Sequence, residues 1–378
     1  MTLSIIIPQL YTTDVNKFKL CQALNRLYES EFDRYYYKII PILNMIMQSK
    51  IIFKQLIFAS SLLLSSLPLF AESQSQELQA DKIVNQLYHK LNNKPISDMS
   101  ARITKFSAML LDKPYLLGAL GEGDQGIYDQ LPLYRTDAFD CETYVDTVMA
   151  LAFADNQSTF RQCIINIRYR NDNPIFIDRN HFASLDWNIN NQQQGFTKDI
   201  TRTITNKLNQ PIAKIAIALI DKPAWYNHFT TKNIKINNIS NEEQSKRLKK
   251  LKLAGSQLKA ITSEIAYIPL SDLFYSNGEA NQHLFKQIPN AAIIEIVRPD
   301  WNLRDKIGSN LNVSHLGFAI WDNNTLMFRN ASSIHERTTD EPLIGYLRKA
   351  LKSPTIKGIN IQIILPKKTL PASCKNYQ

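Results

Sequence analysis

A thiol becomes a nucleophile when its thiolate is stabilised, and one cysteine of this sequence is placed for that. Cys141 follows Asp140 in the run Asp140-Cys141-Glu142-Thr143-Tyr144-Val145. Aspartate is a good N-cap, so Cys141 is expected in the first turn of a helix. There the backbone N–H groups and the positive end of the helix dipole lower a thiol pKa. A buried structural cysteine on an amphipathic helix is the alternative; the position at the helix start argues against it. The base for such a thiol is expected to be a histidine from elsewhere in the chain. Of six histidines, His89 lies in an N-terminal helix, His228 and His283 in polar loop-like surroundings, and His335 in a polar stretch after a strand. His315 opens the apolar run Leu316-Gly317-Phe318-Ala319-Ile320, whose strand ladder would fix its backbone. Gly317 leaves room for a close neighbour on the same face, and Asn330, ending the next strand, is placed to orient the imidazole. A strand-edge histidine with no role is the other reading. The cluster Arg179-Asn180-His181-Phe182, followed by Asp186-Trp187, would contact a sugar or a peptide carboxylate, or brace its own loop.

Helices must come first to position these groups. Leu78, Ile83, Val84, Leu87 and Leu91 recur at helical spacing, and Ser97-Asp98 starts a second run through Ile103, Phe106, Met109 and Leu110. The helix from Asp140 to Ala154 carries Val145, Val148, Met149 and Ala152 on its apolar face. The glycine-rich loop 118–126 lacks the Gly-Lys-Ser/Thr ending of a phosphate loop, which excludes that mode of nucleotide binding. A Lys/Asn-rich segment, 222–264, with a charged helix over Asn241–Leu258, reads as a surface insertion. The last third turns to short β-rich runs: Ala291–Val297, Ser314–Trp321, Thr325–Arg329 and Ile359–Leu365, the middle two joined at Asp322-Asn323-Asn324. Helices followed by an antiparallel sheet give an α+β class.

The chain has 378 residues and a formal charge of +10. Its basic residues are dispersed, without a block of Arg and Lys among aromatics, so no nucleic-acid partner is expected. No close Cys/His spacing suggests a metal, and no cofactor is expected. Residues 47–71 carry two lysines, an apolar serine-containing run and Ala71 before a polar stretch, the layout of a secretory signal cleaved near Ala71. Its uncharged run is short for a bilayer span. Residues 1–46 then read as an upstream extension, 75–366 as one hydrolase domain, and 367–378 as a tail. Cleavage leaves 37 basic against 30 acidic residues, a charge of +7, in a periplasmic or secreted protein with no stable membrane span. Three cysteines remain, so at least one keeps its thiol unless a partner chain supplies another; Cys163 and Cys374 are a candidate pair.

Asp-Cys opening a helix and Ser-His-Leu-Gly-Phe-Ala-Ile in a strand resemble the NlpC-type papain-like hydrolases of bacterial cell walls. Pro114-Tyr115-Leu116-Leu117-Gly118 is similar to the Tyr-x-x-Gly element of that group. Phe-Asp-Cys-Glu-Thr-Tyr-Val, Arg-Asn-His-Phe with Asp-Trp, and Asn330-Ala331-Ser332-Ser333 resemble one branch, formerly catalogued as a domain of unknown function, that contains N-acetylmuramoyl-L-alanine amidases. The resemblance covers roughly residues 80–366. It implies a papain-like fold, N-terminal helices packed on an antiparallel sheet with large insertions. It implies Cys141 as nucleophile, His315 as base, Asn330 as its holder and Tyr115 beside the substrate; Asn330 departs from the histidine frequent there. The implied partner is a muropeptide or peptidoglycan fragment, cut between N-acetylmuramic acid, especially its 1,6-anhydro form, and L-alanine. A stem-peptide endopeptidase with the same Cys-His machinery, or an inactive wall-binding protein, are the competing outcomes.

Overall fold

In the computed structural model, which describes residues 70–92, 96–366 and 374, the expected helices precede the sheet. Helix α1 spans Phe70–Asn92 and α2 spans Met99–Met109, the latter started by Asp98, whose carboxylate accepts from Ala101 N at 2.7 Å. Val84, Leu87 and Leu91 are buried as their spacing predicts, while Leu78 and Ile83 face solvent, Ala80 and Tyr88 taking the inner positions instead. Helix α3, Cys141–Phe153, begins at Asp140 and ends at Ala154. All thirteen of its residues are buried, so it is a central helix rather than a one-faced one. Helix α4, Gln157–Arg168, packs beside it and was not foreseen; its inner residues are Phe160, Cys163, Ile164 and Ile167. The upstream extension, 47–69 of the signal segment, and the tail apart from Cys374 lie outside the described residues. Ala71 stands in the first turn of α1. Among the described residues no helix is long and apolar enough to cross a membrane.

The sheet has eight strands, all pairings antiparallel. In chain order they are β1 (Thr197–Asp199), β2 (Lys214–Asp221), β3 (Ala260–Pro269), β4 (Ala292–Asn302), β5 (Asn310–Asp322), β6 (Thr325–Ser332), β7 (Arg337–Pro342) and β8 (Gly358–Ile364). They lie in the order β2-β3-β8-β4-β5-β6-β7, with β1 beside β8. The last-third strands fall where expected, and Asn323 at the β5–β6 turn has φ 51°, a conformation asparagine tolerates. One core joins α1–α4 to Ile293, Leu316, Phe318, Ile320 and Ala331. The opposite face buries Ile294, Ile296, Ala319, Leu326 and Phe328 under a helix α7, Leu343–Ala350. The mixed α+β class and the packing of N-terminal helices on an antiparallel sheet are therefore observed.

The segment expected as a surface insertion is more integrated than its composition suggests. It opens with helix α5, Lys222–Asn227, continues into α6, Asn241–Ser256, and runs into β3. Leu251 is buried, and Gly255 lies so close to the Tyr226 ring that a Cβ there would fall 2.3 Å from Cγ. Leu251 and Tyr226 form a third core with Trp225, Ala216, Ala218 and Val313.

Candidate active site

Asp140 fixes the start of α3 with both carboxylate oxygens. Oδ1 accepts from Thr143 N at 2.9 Å, and Thr143 Oγ1 accepts from Asp140 N at 2.9 Å, a reciprocal cap. Oδ2 accepts from Gly118 N at 3.0 Å, tying the helix start to the glycine-rich loop. Cys141, 1% exposed, is thus in the first turn as predicted. It keeps its thiol, because the disulfide is made by Cys163 and Cys374, whose Cα atoms are 4.7 Å apart. Pro114 and Leu116 exchange backbone bonds with Phe139, so Tyr115 lies alongside the chain entering α3.

His315 is set by a β-bulge. Ile296 pairs with His315 but Val297 pairs with Val313, which leaves Ser314 as an extra residue that re-aims the neighbouring side chain. The β5–β6 ladder ends at Phe318 opposite Arg329, so His315 and Asn330 stand beyond its last pair. There His315 Nε2 donates to Asn330 Oδ1 at 2.9 Å. Asn330 Nδ2 donates to Phe328 O at 3.2 Å, which orients the amide and so places the imidazole proton on Nε2. Nδ1 is left as the basic nitrogen; it is buried and has no hydrogen-bond partner among the described residues. Phe328 lies edge-on to the ring and Tyr346 of α7 stacks with it. Burial pulls the His315 pKa down to about 4, opposed by the Asn330 bond and the Asp140 charge. The imidazole is therefore neutral at pH 7, and the helix start is within its electrostatic reach. Gly317 provides the close approach foreseen for it: a Cβ there would lie 2.7 Å from Arg329 O and from Asn330 Cβ.

Arg179, Asn180 and His181 are all buried and bonded within the protein. Arg179 Nη1 meets Asp129 at 3.3 Å with its guanidinium over Tyr169 and Phe176. Asn180 Nδ2 donates to Ile167 O (2.9 Å) and His181 Nε2 to Phe176 O (2.8 Å). Burial holds His181 well below the usual histidine pKa. Phe176 N in turn donates to Glu122, which also accepts from Tyr128 and Asp129, so the cluster braces the glycine-rich loop. The open alternative at the sequence level was this brace. Sequence reasoning missed Asp146, wholly buried on α3, which accepts from Trp187 Nε1 at 2.7 Å and faces Arg168 at 3.8 Å. Its signal was a carboxylate four residues after Glu142, on one helix face. Among the described residues no group of His, Cys, Asp and Glu could hold a metal ion.

A mixed α+β domain with a histidine–asparagine pair on its sheet and a capped cysteine on its central helix is the class of protein defined so far. The chain belongs to the AmiA-like, N-acetylmuramoyl-L-alanine amidase-like family, whose model matches residues 105–356. It is similar to a crystal structure of a Legionella pneumophila str. Philadelphia 1 protein of the family DUF1460, at 50% identity over 78% of this chain and 97% of that one, TM-score 0.75. It is also similar to an N-acetylmuramoyl-L-alanine amidase from Bacteroides uniformis ATCC 8492, at 22% identity over 70% of this chain and 98% of that one, TM-score 0.49. Comparison with the curated proteins gives no match.

Proposed function

We propose that this protein is a cysteine-dependent amidase of papain-like, NlpC-type design that cuts muropeptides between N-acetylmuramic acid, in its 1,6-anhydro form, and L-alanine. The observation that carries the reading is the His315–Asn330 bond, which leaves His315 Nδ1 as a neutral buried base near the start of the helix that bears Cys141. Family membership supports the amide class and a peptidoglycan-derived substrate.

In this mechanism Nδ1 takes the Cys141 proton as Sγ attacks the lactyl carbonyl of the muramic acid. The imidazolium is held through Nε2 by Asn330 and returns the proton to the departing L-alanine nitrogen, breaking the C–N bond. A thioester remains on Cys141. Water, deprotonated by Nδ1, attacks it; the acid leaves and the thiol is restored. Strand alternation turns Leu316 and Phe318 into the core that holds α3, and His315 packs against Phe328. Tyr115 lines the substrate cleft. The Cys163–Cys374 disulfide supports an oxidising, exported location, and a positive mature protein suits the carboxylates of a stem peptide.

Product analysis by mass spectrometry on anhydro-muropeptides tests this. Free L-alanine-headed peptide is expected from the wild type and none above background from Cys141→Ala. Release of a dipeptide instead supports the endopeptidase. Unchanged turnover in Cys141→Ala sinks the thiol mechanism.

A further inference from the structure

The glycine-rich loop and helix α6 face each other across a cleft of about 390 Å³. Asp124, Ile127, Tyr128 and Gln130 line it from the loop side, and Glu243, Arg247 and Lys250 from the helix. Both walls are held by the protein's own bonds. Glu122 accepts from Tyr128 N at 2.8 Å and from Asp129 N at 2.7 Å, and Arg247 Nη1 donates to Ile127 O at 2.6 Å, tying helix to loop. Arg247 Nε also meets Glu243 Oε1 at 3.1 Å, so those two charges answer each other. Lys250, one turn further on, is exposed and makes no ion pair among the described residues, and neither does Asp124 on the facing wall. The cleft therefore offers one unanswered charge of each sign.

A short path of contacts joins it to the start of α3. Lys235 N donates to Tyr128 O at 2.8 Å, and Gln130 N donates to Lys235 O at 2.7 Å. The Lys235 side chain runs back to the other end of the loop, where Nζ donates to Gly118 O at 3.1 Å. Gly118 N in turn serves Asp140, the residue before Cys141. Along that path the cleft wall lies at most ~20 Å from the Asp140 carboxylate, a span that an extended peptide of about six residues covers.

We propose that this cleft holds the far end of the substrate's stem peptide, an acidic peptide that also carries an ammonium group. Lys250 meets a carboxylate of that peptide, and Asp124 meets its ammonium. The proposal rests on the amidase reading for which amide is cut, and adds where the leaving peptide is gripped. Exposed charge pairs are weak singly and screened by salt, so the cleft selects among peptides and supplies no catalytic power.

The test is steady-state kinetics on two anhydro-muropeptides, one bearing L-alanine alone and one bearing L-Ala-γ-D-Glu-diaminopimelate-D-Ala. The full chain is compared with Lys250→Gln and Asp124→Asn. The advantage of the tetrapeptide substrate in kcat/KM is expected to fall ~5-fold in each variant, through KM, and to shrink with added salt in the wild type. An unchanged ratio in both variants overturns the proposal. So does an equal fall on both substrates, which would assign the cleft to the sugar. Titration calorimetry with the free tetrapeptide keeps the two readings apart. Binding by the wild type that weakens in both variants upholds the cleft even without amide cleavage, a combination that overturns the amidase reading alone. Peptide binding undiminished in both variants overturns the cleft, whatever the turnover.

Discussion

A histidine bonded through Nε2 has a single nitrogen left for proton transfer, which makes the asparagine as informative as the base. Asn330 is fully buried, and its Oδ1 is the acceptor for His315 Nε2. Asn330→Ala would leave that N–H buried and unanswered, at a cost of about 1–3 kcal/mol. Activity on muropeptides is expected to fall by ~10–100-fold in kcat, from a misoriented base, with KM little changed. A kcat within twofold of wild type would show that the bond does not position the imidazole. At this scale much was legible. An apolar strand opened by His315, with glycine two residues on and an asparagine ending the next strand, is a local pattern. Glu142 and Asp146 were visible as a spacing, but what matters in them is burial, which depends on α4 and on Arg168 reaching across.

The elements owe their positions to groups that local pattern reveals unevenly. Strand β2 reads Lys-Ile-Ala-Ile-Ala-Leu-Ile-Asp, apolar almost throughout, so polar/apolar alternation is absent. Its alternation is one of size: Ala216 and Ala218 turn inward, while Ile217 and Leu219 are exposed. Helix α4 has buried residues at helical spacing, yet Asn166 and Arg168 are buried among them and blur its face. Strand β4 carries a charge no pattern predicts. Glu295 is wholly buried, accepting from Asn188 Nδ2 (2.9 Å) and Gln362 Nε2 (3.1 Å). Burial raises its pKa from 4.5 to about 7, against those two bonds. The folded chain therefore holds a proton that the unfolded chain releases, and this contribution is full below pH 4.5 and lost as pH rises through 7. Glu295→Gln removes the titration while keeping an acceptor, so between pH 5 and 8 the variant should lose less stability than wild type, by about 3 kcal/mol. Urea unfolding at the two pH values measures it. Equal losses in the two proteins would contradict the assignment.

The whole molecule joins elements far apart in sequence. The Cys163–Cys374 bridge spans 211 residues and joins Cys374 to α4. Its two cysteines were legible as a candidate pair, but their proximity was not, since it depends on the path of the entire sheet. The helices-then-sheet order gave the α+β class, and the motifs pointed to the family that the match over residues 105–356 shows. The Arg179–His181 cluster, read as a ligand contact or a brace of its own loop, has bonding surroundings that local pattern does not reveal, since Glu122 and Asp129 come from some fifty residues earlier. The central claim concerns one covalent bond. Rapid quenching of the wild type with anhydro-muropeptide in acid, followed by intact-mass and peptide-resolved mass spectrometry, looks for it directly. The account predicts a thioester-linked muramyl group on the Cys141 peptide, appearing with release of the L-alanine-headed peptide. Turnover of the same substrate with no adduct on Cys141, and with Cys141→Ala equally active, would contradict it.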